Sequence, residues 1–237
     1  MNHILFYAIN HAYNYKTNKS IYNILIGKKS HQTFFDASSQ QLLSLYHSLP
    51  NLKYPTFERF ILQMDDFESK FTIKTHSRYT YDSLIQTFSC IQLLIQTLSH
   101  TRKQSFKFIP AVQNTFIQQK VKQLYSHIKT NHLEEDLIKE IYLLFETIQK
   151  KHNTNYLHYY LQGYDEPMYT RQQISLIEEM KQSELFEIEM VQLIDLLEEI
   201  EHESRYPILS QTLILPPLLN QTYLSYQKLR SGMTMKA

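Results

Sequence analysis

Glycine and tryptophan are almost missing from this chain. It has three glycines (Gly27, Gly163 and Gly232) and no tryptophan in 237 residues. Sandwiches and barrels need many tight turns, in which glycine supplies the positive φ angles. The shortage of glycine therefore counts against an all-β fold.

Cysteine and long apolar runs are also scarce. The single cysteine, Cys90, excludes an internal disulfide and fits a reducing compartment. It lies in an apolar stretch, which predicts a buried and unreactive thiol. The N-terminal residues lack the pattern of a signal peptide, and no run approaches the roughly 18 apolar residues of a membrane span. We therefore expect a soluble, cytoplasmic protein.

Acidic residues are absent between Ser83 and Leu133, although the whole chain carries a net charge of only +1. Residues 1–133 contain 15 Lys/Arg and 6 Asp/Glu, residues 134–204 contain 5 and 17, and residues 205–237 contain 4 and none. A basic half of this kind can bind phosphates. The two halves can equally complement one another within a single fold, and both interpretations stay open.

Apolar residues at helical spacing predict an all-α fold, an irregular multi-helix bundle with at most a minor strand pair near Phe71–Ile73. The charge-poor helix around Leu84–Leu98 is expected to be central, with Phe88, Ile91 and Ile95 almost fully buried. The first five predicted helices cover residues 3–15, residues 20–26, a segment that begins at 31, a segment that ends near 49, and a segment that begins at 55. The next four cover residues 79–98, 112–129, 133–150 and 170–203. The last of these is either one long acidic helix or a pair of helices kinked near residue 183. A final helix begins near residue 218.

No residue pattern predicts catalysis, a cofactor or a metal site. The histidines are not paired at the three- or four-residue spacing that places two ligands on one helix face. Gly27-Lys28-Lys29-Ser30 is similar to a phosphate-binding loop, but Tyr22 stands where the first glycine belongs, and Lys29 replaces the Ser/Thr. The expected class is therefore a non-enzymatic protein. A hydrolase using carboxylates scattered in sequence is the remaining enzymatic alternative.

The same turn is nevertheless a candidate seat for a DNA or RNA phosphate, because two lysines precede a predicted helix start. Solvated lysines beside a helix cap would give the same pattern. The candidate nucleic-acid-binding residues are Lys28, Lys29, Ser30, Gln32, Thr33, Arg102, Lys103, Lys107, Lys120 and Lys122. A second candidate is a tyrosine cluster that could bind a partner or pack in a core, formed by Tyr156, Tyr159, Tyr160 and Tyr164.

Three segments resemble one protein family. They are Ile21–Thr33 with Asp36-Ala37, which contains the string Y-x-x-L-x-G-K-K-S-x-Q-T, the segment Leu161–Pro167, and Thr222–Ala237. Together they resemble the YpbB-like helix-turn-helix proteins of Gram-positive bacteria. The resemblance implies an association with a RecQ-like DNA helicase. It also implies that the chain stops inside a C-terminal helix-turn-helix whose second helix is missing.

These observations predict three regions and a function. The regions are a basic helical region over 1–133, an acidic helical region over 134–215 that could form one domain with it, and the start of a truncated helix-turn-helix over 216–237. The expected function is that of an accessory or scaffold protein binding a RecQ-like helicase, DNA or both. The alternative is a transcriptional regulator whose DNA-reading helices are truncated.

Overall fold

The chain folds into α-helices, as its sequence pattern predicts. The computed structural model describes residues 1–67, 73–103, 108, 110, 112–151 and 185–214. These ranges contain eight α-helices, three short 3-10 helices and no β-strand, so the all-α prediction is confirmed. The expected strand at Phe71–Ile73 lies mostly outside the described residues, and Ile73 is buried in an irregular segment.

The helices are numbered here in chain order. None of those in the described ranges combines the length and the apolar character that crossing a bilayer requires. The α-helices are α1 (Asn2–His11), α2 (Asn18–Leu25), α3 (His31–Ser39), α4 (Tyr54–Gln63), α5 (Tyr81–Lys103), α6 (Thr115–Thr130), α7 (Glu134–Lys151) and α8 (Leu185–Ile200), and the 3-10 helices are Leu43–Leu45, Met64–Asp66 and Leu209–Thr212.

The described residues form two compact units that divide between Ser83 and Leu84. The first unit holds α1–α4 and the first residues of α5, and the second holds the rest of α5 and α6–α8. The division does not coincide with the reversal of charge near residue 133. Compact units are separated where few packing contacts cross, and the sign of surface charge does not decide this.

Several helix starts lie where the sequence predicts them. Ser30 is the N-cap of α3, and its hydroxyl accepts a hydrogen bond from the backbone N–H of Thr33 at 3.2 Å. Pro55 lies in the first turn of α4, where its missing N–H leaves no helical bond unmade. Helix α7 begins at Glu134, one residue after the expected start.

Two other expected helices are corrected. The first helix ends at His11 rather than near Tyr15, because the backbone N–H of Tyr13 donates to Gln40 Oε1 at 2.9 Å instead of continuing the helix. No α-helix runs to Leu49. Gln41 adopts a left-handed φ of 58°, and only the 3-10 helix Leu43–Leu45 follows. Every residue from 42 to 46 is buried, which an amphipathic surface helix cannot achieve.

The core of the first unit comes from α1–α4 and the segment that follows α3. Helix α1 buries one face consisting of Ile4, Leu5 and Ala8. Helix α4 contributes Phe57 and Phe60, whereas Ile61 and the following Met64 are only partly buried. Because each buried Leu, Ile or Phe contributes about 1.5–3 kcal/mol, this cluster is a main source of the unit's stability.

Helix α5 supplies the centre of the second unit, as predicted. Phe88, Ile91 and Ile95 are 3%, 0% and 0% exposed. Even Gln92 and Gln96 are buried, so this stretch of α5 is covered on all sides. The helix packs in a core completed by buried residues of α6, α7, α8 and the segment 206–214.

Helix α6 begins later than the pattern predicts, and α8 accounts for only part of the acidic segment. Asn114 is the N-cap of α6, and its Oδ1 accepts from the N–H groups of Phe116 and Ile117 at 3.0 and 3.3 Å. The start therefore moves from Val112 to Thr115. Helix α8, Leu185–Ile200, lies within the predicted 170–203, whose first part is outside the described residues.

The segment after α8 is held by a buried carboxylate of α7. Glu140 is 6% exposed, and its oxygens accept hydrogen bonds from the backbone N–H groups of Ile208 and Leu209 at 2.8–3.0 Å. Burial raises the pKa of Glu140 above its ordinary value, although the two backbone donors act in the opposite direction. Glu140 thus satisfies N–H groups at the start of the 3-10 helix Leu209–Thr212.

The expectation that Cys90 is a buried thiol is confirmed, and its reactivity is testable. Cys90 is 1% exposed, and burial raises the pKa of its thiol from 9.0 to about 11, although the nearby charge of Lys120 acts to lower it. Because only the thiolate attacks a disulfide reagent, this shift alone lowers the reactive fraction about 100-fold. We expect the native protein to resist Ellman's reagent at mildly alkaline pH and the urea-unfolded protein to react fully. Rapid stoichiometric labelling of the native protein would contradict the burial.

Candidate nucleic-acid interface

The Gly27–Ser30 turn is built by the C-terminal end of α2. Gly27 has a φ of +68°, which glycine adopts without a steric penalty. Its N–H donates to the carbonyl of Ile24 at 3.0 Å, and the N–H of Lys28 donates to the carbonyl of Asn23 at 2.9 Å. These two bonds form a Schellman motif, which ends α2 just before Gly27, in agreement with the helix predicted over residues 20–26.

Two residues from a later segment of the chain, Tyr46 and His47, contact this turn. The hydroxyl of Tyr46 lies 3.2 Å from the carbonyl oxygen of Gly27 and 3.3 Å from that of Lys28, and donates to them. The side chain of His47 lies so close to Gly27 that a Cβ added there would come within 2.5 Å of it. His47 is itself fixed, because its backbone N–H donates to Ile24 at 3.0 Å and its Nδ1 lies 2.6 Å from Asp82 Oδ2.

Ser30, Gln32 and Thr33 bond within the fold. The hydroxyls of Ser30 and Thr33 lie 2.7 Å apart at the start of α3. The side-chain amide of Gln32 donates to Asp36 Oδ1 at 2.7 Å. The structure therefore places these three predicted contacts beside the two lysines, but gives each a partner inside α3.

Asp36 connects the elements that carry the turn. It is buried, with a side chain 6% exposed, and accepts hydrogen bonds of 2.7 Å from Lys16 Nζ, Ser20 Oγ and Gln32 Nε2. Burial acts to raise the pKa of Asp36, but these donors outweigh it and hold the pKa below its ordinary value. An ionised carboxylate therefore ties α2 and the preceding loop to α3.

Lys28 and Lys29 remain available for a ligand. Both side chains are exposed, and no carboxylate in the described part of the chain forms an ion pair with either. By contrast, Lys16 is paired with Asp36. The turn therefore presents two adjacent ammonium groups on a backbone that the Schellman motif and Tyr46 hold in place.

The basic candidates of the second unit differ from one another. Lys120 donates to the carbonyl oxygens of Thr212 and Leu213 at 3.3 and 2.7 Å, and burial lowers its pKa. Its ammonium therefore ties α6 to the segment after α8. Lys122, two residues later, is fully on the exposed face of α6.

The remaining candidates fall wholly or partly outside the described residues. The backbones of Arg102 and Lys103 belong to the last turn of α5, but their side chains are not described. Also outside are Lys107, the whole tyrosine cluster (Tyr156, Tyr159, Tyr160 and Tyr164), the linker at 215–217 and the expected helix-turn-helix over 216–237.

Sequence reasoning missed the residues that support the turn. Asp36 had a detectable signal, because it lies four residues after Gln32 and so on the same face of α3. Tyr46 and His47 had none, since they reach the turn only through the left-handed bends at residues 41 and 47. Within the described ranges, no group of three or more His, Cys, Asp or Glu side chains is arranged to hold a metal ion.

Comparisons with protein-family models, with curated proteins and with solved structures give no match to this chain. The resemblance to the YpbB-like proteins therefore rests on the quoted segments alone.

Proposed function

We propose that this protein is a non-enzymatic accessory factor of nucleic-acid metabolism, and that Lys28 and Lys29 each contact a DNA backbone phosphate. The observation that carries the proposal is a pair of exposed lysines, without an ion-pair partner among the described residues, on a turn held by its own backbone bonds and by Tyr46. A preorganised pair of ammonium groups loses less freedom on binding than two lysines on a mobile loop. Contacts of this kind position a protein on DNA without reading its sequence.

The test is a double charge reversal, Lys28→Glu with Lys29→Glu, in the full chain. We expect binding to labelled duplex, forked and single-stranded DNA to weaken alike, because phosphates are common to all three. For duplex DNA, the negative slope of log affinity against log salt should become shallower by about 2, since each lost phosphate contact removes about 0.9 from it. Fluorescence polarisation at several salt concentrations measures both effects.

A matched control separates the turn from the net charge. Lys139→Glu with Lys150→Glu changes the charge by the same amount, at side chains that are 74% and 79% exposed on α7. Both are ion-paired with carboxylates of that helix, Asp136 and Glu146, and should not contact phosphates. If both double variants weaken binding equally, or if the parent chain binds none of the three DNAs at low salt, the proposal is wrong.

The partner and the location belong to the same proposal. The resemblance favours a RecQ-like helicase as the protein partner, and the single cysteine favours the cytoplasm as the location. Pull-down of the full-length protein from cytosol with nuclease treatment tests this, because a direct helicase contact survives digestion whereas one bridged by DNA does not. Binding to one DNA sequence far above all others would instead favour the alternative, a transcriptional regulator.

A further inference from the structure

The exposed face of α6 carries basic and aromatic side chains without any carboxylate. Phe116 is 58% exposed, an unusual position for a phenylalanine. Lys122, His127 and Lys129 lie further along the same solvent-facing side. Since α6 contains no Asp or Glu, the face is uniformly basic or neutral.

Helical geometry arranges this face in two parallel rows. Successive residues turn by about 100° around the axis. Phe116, Gln123 and His127 therefore fall within roughly 40° of each other, and Lys122 and Lys129 form a second row about 120–140° around the axis from Phe116, at the other edge of the exposed side. The face extends about 21 Å from Phe116 to the end of the helix, which is long enough for a few nucleotides.

The chemistry of the two rows differs. One contains an aromatic ring, a side-chain amide and an imidazole. Asn131 Nδ2 donates to the carbonyl oxygen of His127 at 2.8 Å and lies 3.1 Å from its Nδ1. The other row carries ammonium groups.

On the next helix, α7, exposed lysines are paired with carboxylates of the same helix. There Lys139 lies 2.9 Å from Asp136 and Lys150 lies 3.9 Å from Glu146. In the described part of the chain, no carboxylate is paired with Lys122 or Lys129. The face of α6 therefore keeps its positive charge for an external anion.

We propose that this face of α6 binds an unpaired nucleic-acid strand, with Phe116 stacking on a base and Lys122 and Lys129 contacting phosphates. A strand that crosses the exposed side of α6 would meet the ring at one edge and the row of cations at the other, and this combination suits single strands because every base has a face that stacks. A duplex keeps its bases stacked inside and offers Phe116 no base face. The inference deepens the proposed function, since it takes nucleic acid as the ligand, but it uses a different surface from the Lys28–Lys29 turn.

The first experiment uses the absence of tryptophan from the chain. Phe116→Trp introduces a single indole, which can be excited at wavelengths where tyrosine does not absorb. Its emission should be quenched by oligothymidylate or oligouridylate, because both offer stackable bases, and not by a blunt duplex. The stronger quencher identifies DNA or RNA as the preferred strand. Emission that neither strand changes at saturating concentration would overturn the inference.

The second experiment measures affinity with a matched control. Phe116→Ala should weaken oligothymidylate binding about 5- to 150-fold, the range for loss of one base–aromatic stack, and leave duplex binding unchanged. Tyr142→Ala removes a ring that is 53% exposed on α7 and should have no effect. For single strands, Lys122→Glu with Lys129→Glu should make the negative slope of log affinity against log salt shallower by about 1.4.

The two proposals can fail separately. Loss of binding with Lys28→Glu and Lys29→Glu, but none with Phe116→Ala, refutes the inference and leaves the proposed function standing. Loss of binding with Phe116→Ala, but none with Lys28→Glu and Lys29→Glu, refutes phosphate binding by the turn and supports strand binding by α6. Because Phe116 is an exposed residue, helical content measured by circular dichroism should be unchanged in its variants.

Discussion

Replacing Asp36 with alanine is expected to lower the free energy of unfolding of the first unit by about 3–5 kcal/mol. The substitution removes the acceptor shared by Lys16, Ser20 and Gln32, each of which lies 2.7 Å away. Lys16 is only 18% exposed, so its ammonium would be left largely desolvated without a counter-charge. Urea unfolding followed by circular dichroism measures the loss. Amide exchange should rise in α2 and α3 and stay unchanged in α6.

Two controls make this result specific. Asp65 is exposed, and Asp65→Ala should change stability by less than about 0.5 kcal/mol. Lys16→Met removes the ammonium but leaves Asp36 with Ser20 and Gln32, so it should cost less than Asp36→Ala. The double variant at 16 and 36 should cost less than the sum of the two single variants, by about 0.5–3 kcal/mol. Additive losses would show that the Lys16–Asp36 pair is not coupled.

The Asp36 effect should depend on pH in a defined direction. The pKa of Asp36 is lowered from its ordinary value of 3.8 in the folded state. Asp36 therefore binds a proton more tightly in the unfolded chain than in the folded one. The stabilisation by its carboxylate is complete at pH values above the ordinary pKa of 3.8. It is lost as the pH falls from there through the lowered pKa. The stabilities of the parent and of Asp36→Ala should accordingly converge in acid.

Replacing Gly27 with alanine is the second change with a large expected effect. An L-residue at a φ of +68° costs about 1–2 kcal/mol. The added Cβ would also meet Cβ, Cγ and Cδ2 of His47 at 2.5 Å, and such overpacking costs a further 1–3 kcal/mol or so. The His47 ring cannot easily withdraw, because Asp82 holds it. Urea unfolding should show a loss close to the sum of the two contributions.

A compensating substitution separates the two causes. His47 has a φ of 66°, so glycine is tolerated at this position and removes the three atoms nearest to the new Cβ. Measured against His47→Gly alone, Gly27→Ala should then cost only the left-handed strain of about 1–2 kcal/mol. An unchanged cost in that background would show that the contact with His47 is not what restricts residue 27.

The predictions for Asp36 and Gly27 both concern the residues that support the Lys28–Lys29 turn. Asp36 joins α2 to α3 on either side of it, and Gly27 sets the direction in which the chain leaves α2. Variants at either position keep both lysines but loosen their support. If preorganisation contributes to phosphate binding, such variants should bind DNA more weakly than the parent at temperatures where the helices persist.

Local chemistry explains why much of the helical layout could be predicted. Ser30 and Pro55 act at helix starts through bonds within a few residues of themselves, and Gly27 ends α2 in the same way. The burial of α5 was also predictable, because its apolar residues cover more than one face. Each of these features depends on residues that are close in sequence.

The failed expectations depend on residues far apart in sequence. The helix expected to end at Leu49 gives way to a bend, because burying all of residues 42–46 outweighs the helix propensity of the three leucines among them. Lys120 looked like any exposed lysine until the segment after α8 placed two carbonyl oxygens beside it, more than ninety residues away. Propensity and periodicity contain no information about such contacts.

The sequence by itself therefore determined the all-α class, the main helix starts, the central place of α5 in its unit and the choice of Lys28 and Lys29 as candidates. Only the tertiary structure decided which polar residues are free for a ligand. Asp36 engages Lys16 and Gln32, the fold engages Lys120, and Lys28, Lys29 and Lys122 stay exposed. The physical reason is that a charged side chain is fixed by the partner that replaces its water, and that partner is brought close only by folding.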